Sequence, residues 1–318
     1  MKKRIALCMA LILTLTGCGT QTAEQEVSRK TVVAVVKAMD SLHWLSVADG
    51  MQKAADDYAV DLTILWPEKE SDVAVQQEII ADAIASQPDA IALAPCDSSG
   101  VQHEIGRIEE NNVALFYIDE EAEEGTPYPY VGSDNYYSGK MAAQALAEAL
   151  PEGAQVAVIG GSQKQRAHSK RVRGFQDYIE QETTLECVDM IEVPDCTLTG
   201  GRDAMQQLLE AYPNLQGVFC ASAMMVMGAL EQCEDVQRQD IRLVGMDTQS
   251  DALTAVKNGA IVAMVSQNGY DMGYEMIQMI VDKLDGKTVP DTIYVENELI
   301  TQENVDTFLR AYVTEGRT

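Results

Sequence analysis

The feature that most constrains this chain is an alternation that runs once and then starts again. Short, continuous apolar runs alternate with longer stretches of helical period. Strands are expected at residues 31–36, 61–66, 90–94 and 114–118, with helices at 45–58, 73–86 and 101–111 between them. After 130–132 the pattern restarts. It gives a helix at 135–150, a strand at 156–159, a long helix ending at 182, a strand at 187–192 and a helix at 201–211. A strand at 218–220, a helix at 224–233, a strand at 243–246, a helix at 251–258, a strand at 261–266 and a helix at 270–284 complete it. Runs that are apolar throughout, not at every second residue, belong to strands covered on both faces. Two successive series of like length predict an α/β protein of two doubly wound parallel-sheet lobes. Right-handed crossovers would then place helices on both faces of each sheet. The length of 318 residues suits two such units.

Charge narrows the range of partners. The chain carries 23 basic and 50 acidic residues, a formal net charge of −27. A surface this acidic is a poor match for nucleic acid or anionic lipid headgroups. Five basic residues nevertheless fall between Lys164 and Arg173. Most are expected to solvate a helix face or pair with nearby acids, with one left to face a cleft. The three histidines, His43, His103 and His168, are far apart in sequence and no C-x-x-C occurs, so no metal site is expected. Gly160-Gly161-Ser162 follows a strand, but no G-x-G-x-x-G, Walker A or G-x-S-x-G pattern is present. No cofactor and no catalytic residues are therefore expected, and the chain does not read as an enzyme. Met224, Met225 and Met227 read as core.

The N-terminus has the layout of an export signal. Lys2, Lys3 and Arg4 precede a mostly apolar run at 5–15, too short to span a bilayer as a helix. Leu15-Thr16-Gly17-Cys18 follows, and this quartet resembles a bacterial lipobox. The resemblance implies removal of residues 1–17, lipidation of Cys18, and a polar tether over 18–30. The protein would then be held at the extracytoplasmic face of the cell membrane. Such an anchor suits a cell with no outer membrane, which points to a Gram-positive host. Beyond Cys8 and Cys18 five cysteines remain, Cys96, Cys187, Cys196, Cys220 and Cys233. An odd number without paired spacing leaves at least one thiol free in a monomer, the expected state.

In open α/β sheets ligands bind outside the carboxyl ends of the strands. That rule selects Asp119, which ends the strand at 114–118, and Asp247, which ends the strand at 243–246. One carboxylate per lobe could accept hydrogen bonds from adjacent hydroxyls, or each could instead cap a helix. Trp44, after the first strand, could present its face to a sugar ring or serve as a packing contact.

Several segments together resemble the sugar-type periplasmic binding proteins, with the ribose-binding protein as archetype. They are Trp44 to Gly50, Ile118-Asp119, Val131 to Asn135, Arg171-x-x-Gly174-Phe175, Val218-Phe219, Leu243 to Asp247 and Val265-Ser266-Gln267. The resemblance implies two lobes joined by a three-crossing hinge that closes on ligand, as such proteins do as a class. The lobes are expected as 31–133 with 267–291, and 134–266 with 292–318. Asp119, Arg171, Asp247 and Gln267 fall on sugar-binding positions and keep the family's residue type. His43 and Trp44 fall where the archetype stacks aromatics, and Ser41 and Ser222 where it carries asparagines. Ala94, Glu120 and Cys196 depart from it, replacing a polar contact, an arginine and an aromatic. An unpaired pocket group costs about 1–3 kcal/mol, so these departures argue for a sugar or polyol other than ribose.

The function implied is capture of a small hydroxylated ligand and delivery to the permease of an ABC-type importer. A sensor subunit for a membrane histidine kinase or chemoreceptor is the alternative on the same fold.

Overall fold

In the computed structural model the described residues are 29–123 and 128–314, with side chains described to 310. The expected export signal, the expected lipidation site Cys18 and most of the expected tether lie outside them.

The first series forms β1 (Lys30–Val35), α1 (Leu42–Tyr58), β2 (Val60–Leu65), α2 (Val73–Ala85), β3 (Ala90–Leu93), α3 (Gln102–Glu110), β4 (Ala114–Ile118) and β5 (Tyr130–Gly132). The second forms α4 (Asn135–Glu148), β6 (Gln155–Gly160), α5 (Arg166–Glu182), β7 (Glu186–Glu192), α6 (Leu198–Ala211), β8 (Leu215–Cys220) and α7 (Ala223–Asp235). It continues with β9 (Arg242–Met246), α8 (Ser250–Lys257) and β10 (Ala263–Val265). Then follow α9 (Gly269–Leu284), β11 (Thr292–Tyr294), β12 (Leu299–Ile300) and α10 (Val305–Thr314).

The two sheets run β2-β1-β3-β4-β5-β11 and β7-β6-β8-β9-β10-β12, so the lobes share one strand order. Only the last strands differ: β11 is parallel to β5, whereas β12 is antiparallel to β10. The continuous apolar runs follow from two-sided burial. In β1, Val32 and Ala34 join the core on one face of the first sheet, while Val33 and Val35 join the core on the other. The second lobe has one large core around Phe175 and Phe219, whose rings stack at 4.9 Å.

Helix α9 returns to pack on α1 and the first sheet, and α4 packs on α5 and the second. The chain therefore passes between lobes three times, after β5, after β10 and after β11. The last passage corrects the expected boundary. The expected second lobe includes residues 292–294, yet β11 pairs with β5 through Thr292↔Tyr130 and Tyr294↔Gly132. Backbone pairing at the edge of the first sheet outweighs sequence proximity to α10.

Two helices start earlier than their apolar period suggests, because a hydroxyl caps each one. Ser41 accepts from the Trp44 N–H, starting α1 at Leu42 instead of 45, and Thr197 accepts from the Gly200 N–H, starting α6 at Leu198 instead of 201. Strand β10 is shorter than expected. Among the described residues no helix is long and apolar enough to cross a membrane.

Candidate functional site

A cavity of about 120 Å³ lies between the lobes, an order of magnitude above what one water needs. Its walls come from the segments that follow strand carboxyl ends. Lys37, Asp40, Ser41, His43 and Trp44 follow β1, Glu70 follows β2, and Asp119 follows β4. From the second lobe, His168 and Arg171 follow β6, Asp195 to Thr197 follow β7, Ser222 and Met224 follow β8, Asp247 and Gln249 follow β9, and Gln267 follows β10. All eight residues selected in the sequence line this cavity.

Asp119 and Asp247 are counterparts. Both are in the left-handed region, with φ of 61° and 72°, which aspartate tolerates better than most residues. Each backbone N–H donates at 2.9 Å to the neighbouring strand, Asp119 to the Val131 carbonyl and Asp247 to the Val265 carbonyl. The turn that ends each strand thus aims its carboxylate into the cleft.

On the first lobe, Asp119 Oδ2 lies 3.2 Å from Lys37 Nζ, with both side chains buried. His43 Nε2 is 2.9 Å from Asp119 Oδ1. A carboxylate only accepts, so this nitrogen carries the proton and donates. Burial works to raise the Asp119 carboxyl, but Lys37 and the His43 hydrogen bond outweigh it and hold it well below the usual carboxylate range. Burial also works to lower the Lys37 ammonium, and Asp119, Glu120 and Glu70 together hold it above the usual lysine range. His43 is thus a hydrogen-bond donor to Asp119, in addition to any stacking role. Trp44 is only 2% exposed, and its indole N–H donates to Glu70 Oε1 at 3.2 Å.

On the second lobe, Arg171 is 4% exposed. Its Nε donates to Asn135 Oδ1 at 2.7 Å, Nη1 to the Ala221 carbonyl at 3.2 Å, and Nη2 to Gln267 Oε1. Gln267 Nε2 in turn donates to Asp247 Oδ1, and the other Asp247 oxygen accepts from the Ala223 N–H at 3.3 Å. The amide of Gln267 therefore ties arginine to aspartate. Of the five guanidinium N–H groups three are used in these bonds, which leaves two for a ligand. Ser41 and Ser222 cap α1 and α7 with their hydroxyls while lining the cavity.

Glu120 is spent at the junction of the lobes. Its carboxylate accepts from Ser98 Oγ at 3.0 Å, the Ala167 N–H at 3.1 Å and Lys37 Nζ at 3.4 Å. Ala94 presents no side-chain polarity, and its carbonyl accepts from Gln76 Nε2 at 2.8 Å. The basic run on α5 divides by task. Arg166 and Lys170 pair across the cleft with Glu121 at 3.2 and 2.5 Å, Arg171 enters the cavity, and Arg173 pairs with Asp177 on the surface.

Sequence reasoning missed Lys37, Glu70, His168, Asp195 and Gln249. It also placed Met224 in the core, whereas Met224 lines the cavity. The sequence isolation of the histidines does not survive folding: His168 Nε2 lies 3.7 Å from Cys196 Sγ, with Glu70 close by. Burial, with Arg171 and Lys37 nearby, holds the His168 imidazole well below its ordinary range. All five described cysteines are free thiols.

Two like lobes, three connecting passages and one polar cavity built from both sides define a two-lobed ligand-binding protein. The chain belongs to the periplasmic binding protein domain family, whose sequence profile matches residues 32–288. The fold is that of the type 1 members, and the chain is a binding protein, not an enzyme. It is 29% identical to the ribose import binding protein RbsB of Bacillus subtilis, over 95% of this chain and 100% of that one. A carbohydrate transporter solute binding protein from Agrobacterium radiobacter, in complex with D-arabinose, superposes with a TM-score of 0.84 at 26% identity, covering 90% of this chain and 99% of that chain. The XylFII–LytSN complex matches with a TM-score of 0.80 at 23% identity, covering 86% and 98%, a likeness of fold.

Proposed function

We propose that this protein is an extracytoplasmic solute-binding lipoprotein that captures a small sugar or polyol between its lobes and presents it to an ABC-type importer. The observation that carries the reading is the pair Asp119 and Asp247, placed alike on opposite lobes and facing one cavity. Each carboxylate can take ligand hydroxyls, Arg171 donates its two remaining N–H groups, and Trp44 and His43 offer apolar ring surface. The kinship with sugar-binding transport proteins supports the same reading. The altered positions Ala94, Glu120 and Cys196, together with Lys37 and Glu70, favour a polyol other than ribose.

Thermal unfolding of the chain from Gly19 onward, against a panel of sugars, alditols and cyclitols, tests it. A ligand at a hundred times its dissociation constant should add about 2.7 kcal/mol of stability. A panel without a single shift refutes the reading. Lipidation at Cys18 predicts incorporation of a labelled fatty acid that is lost in Cys18→Ala, and membrane retention in a Gram-positive cell.

A sensor role on the same fold is the second reading, favoured by the departures in the pocket. Capture of a histidine kinase ectodomain by the ligand-loaded protein, in place of a permease, would decide for it.

A further inference from the structure

Three side chains of the cavity are given no contact with the ligand in the reading above. Glu70 comes from the first lobe, while His168 and Cys196 come from the second. One donor atom from each, a carboxylate oxygen, an imidazole nitrogen and a thiol sulfur, lies within 4.8 Å of the other two. His168 Nε2 and Cys196 Sγ are 3.7 Å apart. Tetrahedral zinc, with bonds of about 2.0 Å to nitrogen and 2.3 Å to sulfur, holds those atoms about 3.5 Å apart. The pair already has metal spacing. The Glu70 carboxylate must approach by about 1 Å, which rotation about its own side-chain bonds can supply.

The imidazole is fixed in the required direction. It packs flat on Gly161, where an added Cβ would fall 2.4 Å from Nδ1 and 2.6 Å from Cε1. His168 is 5% exposed, and Nδ1 is buried against Gly161 while Nε2 faces Cys196 Sγ, so the nitrogen that can take a ligand is Nε2. Glu70 is oriented too. Its oxygens accept from Trp44 Nε1 at 3.2 Å and Gln165 Nε2 at 3.3 Å, one donor from each lobe and both uncharged. Outer hydrogen bonds of this kind aim a carboxylate without neutralising it.

We propose that Glu70, His168 and Cys196 form a binding site for a divalent transition-metal ion of the zinc class. Sulfur, nitrogen and one carboxylate select such an ion over Mg²⁺ or Ca²⁺, which take oxygen ligands. On binding, the Cys196 S–H bond breaks, a metal–thiolate bond forms, and one proton passes to solvent. The fourth position opens on the cavity and takes water or a ligand hydroxyl. Because the ligands come from both lobes, the ion also holds the cleft closed.

The test uses the purified full chain in detergent, stripped with a chelator and titrated with Co²⁺ in the absence of sugar. One equivalent should bind with thiolate-to-cobalt charge-transfer absorption, displaced by Zn²⁺ but not by excess Mg²⁺. Cys196→Ser should abolish that absorption, and His168→Gln and Glu70→Gln should each weaken binding by at least about tenfold. Unchanged far-ultraviolet circular dichroism shows that each variant is folded. Failure to bind Co²⁺, or a charge-transfer band that survives in folded Cys196→Ser, overturns the proposal. No sugar enters the measurement, so its failure leaves the transport reading standing, and the converse holds.

Discussion

Lys37 Nζ sits 3.2 Å from Asp119 Oδ2, and both side chains are buried. The same ammonium lies 3.4 Å from Glu120 and 3.1 Å from Gln165 Oε1, so its three protons serve three protein acceptors. Lys37 therefore neutralises the pocket from beneath and leaves the outer edge of Asp119 for a ligand. Lys37→Met leaves two carboxylates buried without a cation and is expected to cost about 3–5 kcal/mol.

The loss should depend on pH. In the native protein the folded Asp119 carboxyl titrates below its unfolded value, so its contribution is present above that value and fades as pH falls through the folded one. In Lys37→Met the largest force opposing burial is gone, so both carboxyls rise relative to the native protein, and the penalty of burying them is relieved as they take up protons at lower pH. The stability gap between variant and native protein should narrow from about pH 7 to about pH 5 in urea unfolding. A gap that widens contradicts this account of Lys37.

Asp247→Asn probes the other wall. One Asp247 oxygen accepts from Gln267 and the other from the Ala223 N–H. Asparagine keeps one acceptor and replaces the other with a donor. Loss of a charged acceptor for a ligand hydroxyl should weaken affinity by about 1.5–3 kcal/mol, roughly 10- to 150-fold. Calorimetry with the sugar giving the largest thermal shift measures it, and an unchanged dissociation constant would remove Asp247 from the binding site.

The strand-end rule found Asp119 and Asp247 because it needs only the local pattern of an apolar run that stops at a carboxylate. Lys37 was not legible in this way. It closes β1 like any exposed lysine would, and its meaning comes from Glu120 and Gln165, 83 and 128 residues away. His168 and Cys196 read as isolated because their contact depends on the first turn of α5 meeting the loop between β7 and α6 at the edge of the cavity. The helix starts at Leu42 and Leu198 were missed because one capping hydroxyl decides them. Strands β11 and β12, of three and two residues, are too short for any period to show.

Gly174→Ala tests how Arg171 is placed. Helices α4 and α5 meet at backbone contact: a Cβ on Gly174 would fall 2.0 Å from the Tyr136 carbonyl oxygen, and one on Gly139 would fall 2.1 Å from that of Arg171. Alanine at 174 must push the helices apart, at a cost of about 1–3 kcal/mol, and move Arg171 with α5. Lower stability and weaker ligand binding should appear together. Gly106 in α3 has nothing within 4 Å of its Cβ position, so Gly106→Ala should instead stabilise by about 0.5–1 kcal/mol. Equal effects from the two substitutions, both read as urea midpoints, would contradict the close-approach argument.

Glu121→Lys addresses closure itself. Glu121 Oε1 holds Lys170 at 2.5 Å and Arg166 at 3.2 Å, and both of these partners belong to the other lobe. All three groups are partly exposed, so the latch is worth on the order of 1 kcal/mol, not a buried pair's value. Lysine at 121 replaces attraction with repulsion only when the lobes are together. The open form loses little, so ligand-free stability should stay within about 0.5 kcal/mol of the native value. Apparent affinity falls with the population of the closed form, by roughly three- to tenfold, through faster release. Because the pair is screened, raising ionic strength should recover much of the lost affinity, whereas a pocket variant such as Asp247→Asn should stay weak. Stopped-flow release rates at low and high salt separate the two. A release rate that does not change in Glu121→Lys would mean that the contacts across the cleft do not govern how long the ligand stays.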